Sequence, residues 1–306
     1  MNNNVVAVAG ASGMLGSMVL EVLSRKADFN LIATVRSGVQ AKELEDRYRN
    51  VEWRILDAED HDTAKLTKLL CDAQWIINAI GKIKPYIHDD DPEEIEHAAR
   101  VNAIFPHLLA RAAARNGTRV IQIATDCVYS GSKGAYIESD PHDALDVYGK
   151  TKSLGEVFLE NASHIRCSII GPESKDYVSL LEWFRRQPLD AELNGFTNHR
   201  WNGITTFHYA MLCHGIIYNS VKLPHVQHVV PGGMISKFEL LKCFVREYER
   251  DDITINPFEA QTVIDRTLAT ENDALNRDLW AAAGYSEPPT VPEMVAEMAN
   301  FNNNKS

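Results

Sequence analysis

The chain has 306 residues, of which 45% are hydrophobic, and a formal net charge of -11 at pH 7. This length suffices for one domain of about 150 to 200 residues and a smaller second one. The negative charge argues against nucleic acid or an anionic membrane as the main partner.

The five cysteines are scattered and form no Cys-x-x-Cys pair, which disfavours both disulfides and a zinc site. No signal peptide or transmembrane run is recognisable, since the first apolar stretch is short and broken by glycine. We therefore expect a cytoplasmic protein that holds no metal and does not bind a membrane. The sequence carries no signal for the oligomeric state, and a homodimer is one of the alternatives.

The first predicted strand, residues 5–9, runs directly into a glycine-rich turn and an apolar helical stretch from Met18 to Leu23. Glycines let the backbone approach a pyrophosphate, and the helix N-terminus offers N–H groups to its oxygens. The spacing is Gly-x-x-Gly-x-x-Gly, not the commoner Gly-x-Gly-x-x-Gly, and an ordinary strand-to-helix turn remains the alternative. The residues expected to bind a dinucleotide here are Gly10, Ser12, Gly13, Met14, Leu15 and Gly16.

The second predicted strand, residues 31–35, is followed by Arg36 and Ser37. Folds specific for NAD carry an acid at this point, which hydrogen-bonds the adenosine ribose. A guanidinium and a hydroxyl suit a 2′-phosphate, which an acid would repel. The sequence therefore predicts NADPH in preference to NADH, with NADH still open. The alternative is an ordinary exposed arginine.

Strands and helices continue to alternate through the first half of the chain. Further strands are predicted at 51–56, 75–79 and 120–124, with helices at 63–70 and 93–115 between them. This alternation predicts an α/β fold of the Rossmann type, a doubly wound parallel sheet covered on both faces. Its ligands are expected at the carboxyl ends of the strands.

Polar or small residues follow three of these strands. Asp57 could meet an adenine, residues 78–81 could meet the middle of the cofactor, and Thr125 with Asp126 could meet the nicotinamide. Each polar residue alone could be a helix cap. Together they predict one crevice.

Tyr148 and Lys152 lie four residues apart in a predicted helix, so their side chains share one face. A lysine beside a tyrosine, next to a positively charged nicotinamide, favours the phenolate and suits general acid or base catalysis. The spacing alone is common, and a solvated helix face is the alternative.

These motifs, in this order, resemble those of the extended short-chain dehydrogenase/reductase family. Within it, residues 124–152 are similar to the dTDP-4-dehydrorhamnose reductases, and the resemblance is strong over residues 5–171 and thin beyond. It implies that Tyr148 is the proton donor, Lys152 its pKa-lowering partner and ribose anchor, and Thr125 the group that orients a sugar carbonyl. It implies NADPH-dependent reduction of the 4-keto group of a nucleotide-linked 6-deoxy sugar. Further cofactor residues implied are Asp57, Ala79, Ile80, Gly81 and Asn102.

Other activities of the same family stay open. Its dehydratases carry an Asp-Glu pair after the threonine, and Cys127 stands here in place of the second acid, which disfavours dehydration. An epimerase that retains its cofactor is the enzymatic alternative, against which Arg36 argues. The second alternative is a non-catalytic subunit that binds a dinucleotide. Such proteins typically lose part of the catalytic set, whereas Thr125, Tyr148 and Lys152 are all present here.

We place the boundary between the NAD(P)-binding domain, 1–171, and a smaller substrate-binding region, 172–306, which is partly interleaved with the sheet. The second region is predicted to be mostly helical, with helices at 177–186, 207–218, 236–249 and 292–299. A sugar nucleotide would bind in the cleft between the two. The residues expected to contact it are Lys84, Asp126, Val128, Arg200, Trp201 and Asn202, although the segment around Trp201 could be an ordinary packed loop.

Overall fold

The computed structural model describes residues 4–60, 62–173, 175 and 177–303. Within these ranges the strands are, in chain order, β1 (Val5–Ala9), β2 (Asn30–Val35), β3 (Val51–Ile55), β4 (Trp75–Asn78), β5 (Arg119–Ala124), β6 (Ala162–Arg166), β7 (Ile169–Ile170), β8 (Glu192–Phe196), β9 (Arg200–Trp201), β10 (Ile204–Thr205), β11 (Val226–His228), β12 (Ile235–Ser236) and β13 (Thr254–Phe258). The α-helices in the same ranges are α1 (Met14–Lys26), α2 (Gly38–Glu45), α3 (Thr63–Leu69), α4 (Pro92–Ala98), α5 (Phe105–Arg115), α6 (Val147–Leu154), α7 (Leu180–Arg185), α8 (Thr206–Tyr218), α9 (Lys237–Glu247), α10 (Asp273–Ala282) and α11 (Val291–Asn303).

Seven of the strands form one parallel sheet in the spatial order β11-β6-β5-β4-β1-β2-β3. The chain builds outward from β1 to β3 and then returns to the other side of β1 with β4. The sheet therefore has its topological switch point between β1 and β4, where a crevice opens beyond the carboxyl ends of the strands. The predicted doubly wound α/β fold is confirmed.

Strand β1 shows how the sheet is covered on both faces. Val6 and Val8 belong to the apolar core on one face, and Ala7 and Ala9 to the core on the other, all fully buried. Helices α1 and α8 pack together on the first face and α3 and α5 on the second. Because successive residues of a strand point to opposite faces, a strand covered on both sides is apolar throughout.

The predicted helix at 93–115 is helical throughout but irregular. It consists of α4, a π-helical turn at Ala99–Ile104, and α5. Asn102 lies within the π-helical turn, which widens the helix locally. The other predicted helices differ from the observed ones mainly at their ends, and 177–186 shortens to α7. Helices α2 and α10 were not predicted. Helix α2 buries no residue and so has no apolar periodicity, whereas α10 has an apolar face and a glycine after its C-cap that sequence reasoning missed.

The second half of the chain contributes a strand to the main sheet, since β11 pairs with β6. Its other strands form short pairs outside the sheet: β7 with β10, β9 with β12, and β8 with β13. Helix α8 packs against α1 of the first half. Among the helices of the described ranges, none is long and apolar enough to cross a membrane.

Candidate active site

The glycine turn after β1 is built from close backbone contacts. Gly10 has a φ of 82°, a conformation that favours glycine, and a Cβ atom at Gly16 would lie 2.1 Å from the carbonyl oxygen of Gly10. Gly13 is the N-cap of α1 and supplies no side-chain cap. The first N–H groups of α1 thus have no side-chain cap, and an uncapped helix start after a glycine turn is suited to binding phosphate.

The end of β2 lies against this turn. The Thr34 hydroxyl accepts a hydrogen bond from the Gly10 N–H at 3.2 Å, and the Thr34 carbonyl accepts one from Ala11 at 2.9 Å. The exposed Arg36 follows, and Ser37 caps α2 by accepting from the Gln40 N–H. Arg36 therefore follows the strand that contacts the glycine turn and is exposed to solvent, and its contact with a 2′-phosphate stays a prediction.

The end of β4 forms the other wall of the crevice. The Asn78 side chain accepts from the Ile80 N–H at 3.1 Å and donates to the Gln122 side chain at 2.6 Å. A Cβ atom at Gly10 would meet Ile80 Cγ1 at 2.8 Å, so Ile80 packs on the glycine turn. The predicted Asp57 is exposed, and its carboxylate accepts from the Glu59 N–H at 3.0 Å.

Asn102 connects the segment after β4 to α6. Its buried amide accepts from the Lys82 N–H at 2.8 Å, donates to the Lys82 carbonyl at 2.9 Å and donates to the Thr151 hydroxyl at 3.3 Å. A Cβ atom at Gly155 would lie 1.9 Å from the Asn102 carbonyl oxygen, so the end of α6 rests directly on the π-helical turn. In this structure Asn102 positions the elements that carry Gly81 and Lys152.

Thr125, Tyr148 and Lys152 come together at the carboxyl edge of β5. The Thr125 hydroxyl donates to the Asp126 carboxylate at 3.2 Å and also interacts with the Tyr148 hydroxyl. The Lys152 ammonium donates to the Ile123 carbonyl at 3.2 Å. A Cβ atom at Gly81 would lie 4.0 Å from Lys152 Nζ, which places this amine beside the segment after β4.

The surroundings shift the pKa values of both catalytic candidates. Burial raises the pKa of Tyr148, Cys127 adds to this effect, and the hydrogen bond with Thr125 lowers it. Burial lowers the pKa of Lys152 to about 8, against the opposing charge of Glu156. Tyr148 is therefore a protonated phenol at neutral pH, as a proton donor must be. The predicted effect of Lys152 on the pKa of Tyr148 stays a prediction.

Comparison with known proteins identifies the family. The model of the RmlD substrate binding domain matches residues 4–303, nearly the whole chain. The chain belongs to this family. The dTDP-4-dehydrorhamnose reductase of Mycobacterium tuberculosis is 24% identical over 297 residues, which cover 91% of this chain and 87% of that protein. Matches to some other curated relatives span less than half of those proteins' length.

Solved structures share the fold of this RmlD-family chain. The dTDP-4-dehydrorhamnose reductase of Bacillus anthracis, solved in complex with NADP, has a TM-score of 0.71 at 17% identity and covers 98% of this chain and 99% of its own. The UDP-glucuronic acid 4-epimerase of Bacillus cereus, solved with NAD, also has a TM-score of 0.71, at 14% identity, and covers 99% of this chain and 100% of its own. The predicted family is confirmed.

The predicted substrate residues differ in how the RmlD-family fold places them. Trp201 is buried, and its indole N–H donates to the Ser168 hydroxyl at 2.9 Å. The Asn202 amide donates to the Leu268 carbonyl at 2.7 Å and accepts from the Leu268 N–H at 3.0 Å. This geometry favours a structural role for Asn202. Arg200 is exposed, with Met234 as its contact.

The other three predicted substrate residues are Lys84, Asp126 and Val128. Lys84 pairs with Asp146, the N-cap of α6, at 2.7 Å. Val128 is fully buried and its carbonyl accepts from the N–H groups of Asp143 and Ala144, so its contact with a substrate stays a prediction. Burial raises the pKa of Asp126, which is itself flanked by cations. The acidic run before α4 acts as a helix start, since Asp91 accepts from the N–H groups of the first turn.

A buried polar network ties the catalytic segment to α6. The Arg166 guanidinium is 1% exposed and pairs with the Glu156 carboxylate. It also contacts the Tyr129 hydroxyl at 2.9 Å, the His228 ring at 2.7 Å and the His142 ring at 2.9 Å. These contacts join β6, β11, the end of α6 and the segment between β5 and α6, which fixes the position of Tyr148 relative to Thr125.

Two cations of the site were missed by sequence reasoning. Lys237 begins α9, and Arg266 lies before α10, where its Nε donates to the Tyr129 carbonyl at 2.8 Å. Both act on the Asp126 carboxylate. No local motif marks either residue, and only the fold brings them to Asp126. Across the part of the chain that the structure describes, no cluster of His, Cys, Asp and Glu could hold a metal ion.

Proposed function

We propose that this protein reduces the 4-keto group of a nucleotide-linked 6-deoxy sugar with NADPH, with Tyr148 as the proton donor. The observation that carries the proposal is the meeting of Thr125, Tyr148 and Lys152 at the carboxyl edge of β5, in the crevice that also contains the glycine turn. The reductase relatives in the RmlD family support the same reaction.

The crevice fits a dinucleotide. The close approach of Gly16 to Gly10 leaves no room for a side chain, and the uncapped start of α1 can receive a pyrophosphate. Arg36 and Ser37 would hold the 2′-phosphate of NADPH, and Lys152 would hold the nicotinamide ribose. NADPH, when bound there, supplies the hydride.

The residues of this chain supply the proton. As the carbonyl carbon accepts hydride, its oxygen becomes an alkoxide, and the Tyr148 O–H delivers its proton to that oxygen. The phenolate left behind is stabilised by the Lys152 ammonium and regains a proton from solvent. Thr125, hydrogen-bonded near Tyr148, orients the carbonyl so that hydride and proton arrive at adjacent atoms.

The test is NADPH absorbance during mixing with an enzymatically generated dTDP-4-keto-6-deoxy sugar, using wild type and Tyr148→Phe. We expect the Phe variant to bind NADPH but to turn over about 100- to 10,000-fold more slowly, the usual contribution of a general acid. Tyr218→Phe is the matched control, because Tyr218 lies far from Tyr148. Tyr218 ends α8 and stacks on His214, and His214 contacts Asp28, which precedes β2 at the amino ends of the strands.

An active Tyr148→Phe variant would contradict the role of Tyr148. Wild-type protein that binds NADPH but oxidises none of it would contradict the reduction itself and favour an epimerase that retains its cofactor or a non-catalytic subunit. A homodimer and a cytoplasmic location remain predictions.

A further inference from the structure

Lys237 lies above the carboxyl edge of the sheet. It follows β12, whose pairing with β9 sets Ile235 opposite Trp201. Its Nζ is 5.2 Å from the centroid of the Trp201 ring, and Trp201 is hydrogen-bonded to Ser168, just beyond the end of β6. The β9–β12 pair thus holds an amine over the same edge at which β5 ends in Thr125.

The Lys237 ammonium has no carboxylate partner of its own. Lys237 is influenced by the Asp126 carboxylate and by Cys127, yet within the described residues no carboxylate lies within ion-pair distance of its Nζ and no hydrogen bond engages it. Asp126 is shared, because Arg266 acts on it as well. The other carboxylates near Arg266 have their own partners, Asp146 with Lys84 and Asp143 with Ser130.

The geometry points to Lys237, with Arg266 beside it, as the group that binds an anionic part of the sugar nucleotide. This inference rests on the proposed function and adds to it a cation that recognises substrate. The anion is the diphosphate of the nucleotide, whose charged oxygens an ammonium binds strongly. The aromatic plane of Trp201 lies under the amine and limits its positions.

Burial lowers the pKa of Lys237 to about 8, with Asp126 opposing the shift. An anion bound next to the amine would restore the charged form.

The test is calorimetric binding of dTDP, dTDP-glucose and dTDP-glucuronate, and of the corresponding UDP compounds, to wild type, Lys237→Met and Lys237→Arg. Lys242→Met is the control, because Lys242 is an exposed lysine of the same helix. If the anion is the diphosphate, Lys237→Met should raise the Kd of every ligand about 10-fold or more, the usual effect of losing a charged hydrogen bond. Weakening confined to the glucuronates would place the amine at a sugar carboxylate and would overturn the inference.

Lys237→Arg should keep most of the affinity, and NADPH should bind all variants equally. Unchanged Kd values in Lys237→Met, with NADPH binding intact, would overturn the inference. Binding of these ligands through Lys237, together with no oxidation of NADPH by the dTDP-4-keto-6-deoxy sugar, would overturn the proposed reduction alone. Wild-type protein that binds NADPH and none of the sugar nucleotides would overturn both.

Discussion

The Asn102 side chain forms two hydrogen bonds with the main chain of one residue, Lys82: it accepts from the N–H at 2.8 Å and donates to the carbonyl at 2.9 Å. A third bond reaches Thr151, the neighbour of Lys152, at 3.3 Å. One amide in a π-helical turn therefore holds both the segment after β4 and the helix that carries Lys152.

Replacing Asn102 should affect both stability and turnover. Asn102→Ala leaves two partly buried main-chain groups of Lys82 without their side-chain partner, which should lower the free energy of unfolding by about 2 kcal/mol. Turnover should fall more than NADPH affinity, because Thr151 and Lys152 lose a fixed position. Urea unfolding and steady-state kinetics measure the two effects. Asn194→Ala, at an exposed strand position, should change neither, and equal behaviour of both variants would contradict the positioning role.

The glycine turn should not tolerate a methyl group at Gly16. A Cβ atom there would lie 2.1 Å from the Gly10 carbonyl oxygen, so Gly16→Ala must displace α1 from the turn. We expect NADPH binding, followed by fluorescence, to weaken at least about 10-fold, because misplaced N–H groups lose their contacts with phosphate.

Gly38→Ala is the matched control for this substitution. Gly38 begins α2, and a Cβ atom there meets nothing within 4 Å. Its NADPH affinity should equal that of wild type. Full affinity in Gly16→Ala would place the phosphates elsewhere.

Arg36 should set the cofactor preference. Arg36→Glu removes a cation and adds an anion beside the ribose 2′ position, so the KM for NADPH should rise far more than the KM for NADH. Arg49→Glu makes the same charge change at an exposed position just before β3, at the opposite edge of the sheet, and should leave the ratio unchanged. Equal effects of Arg36→Glu on both cofactors would remove Arg36 from the site.

His164 should make the fold sensitive to acid. Its Nε2 accepts from the Val157 N–H at 3.0 Å, and its Nδ1 lies 3.1 Å from the His225 carbonyl, so both ring nitrogens are satisfied in the neutral form. Burial lowers its pKa to about 4, against the charge of Glu156. As the pH falls, His164 takes up a proton at a higher pH in the unfolded chain than in the folded one. The contribution of neutral His164 to the free energy of unfolding is therefore complete above about pH 6.5 and is lost as the pH falls towards 4.

Unfolding free energies at pH 7 and pH 4.5 test this expectation. Wild type should lose about 2 kcal/mol more than His164→Gln over this interval. His88→Gln is the control, because the exposed His88 has its pKa raised by Glu94 and cannot add to acid sensitivity in this way. An identical pH dependence in wild type and His164→Gln would show that His164 carries no such penalty.

The sequence by itself determined the features that are local in the chain. Apolar runs specified β1 to β5 and the helices between them except α2, and the spacing of Gly10, Gly13 and Gly16 specified a turn that only glycine can form. The four-residue spacing of Tyr148 and Lys152 placed them on one helical face. Each of these follows from backbone geometry within a few residues, so no knowledge of distant contacts was needed.

The tertiary structure alone decided which distant residues meet. Lys237 and Arg266 face Asp126 because β9 pairs with β12 and because Arg266 hydrogen-bonds to Tyr129. The same holds for Asn202, whose amide is engaged by Leu268. Such contacts depend on how separate elements pack, and packing depends on the sum of many weak interactions that leave no periodic signal in the sequence.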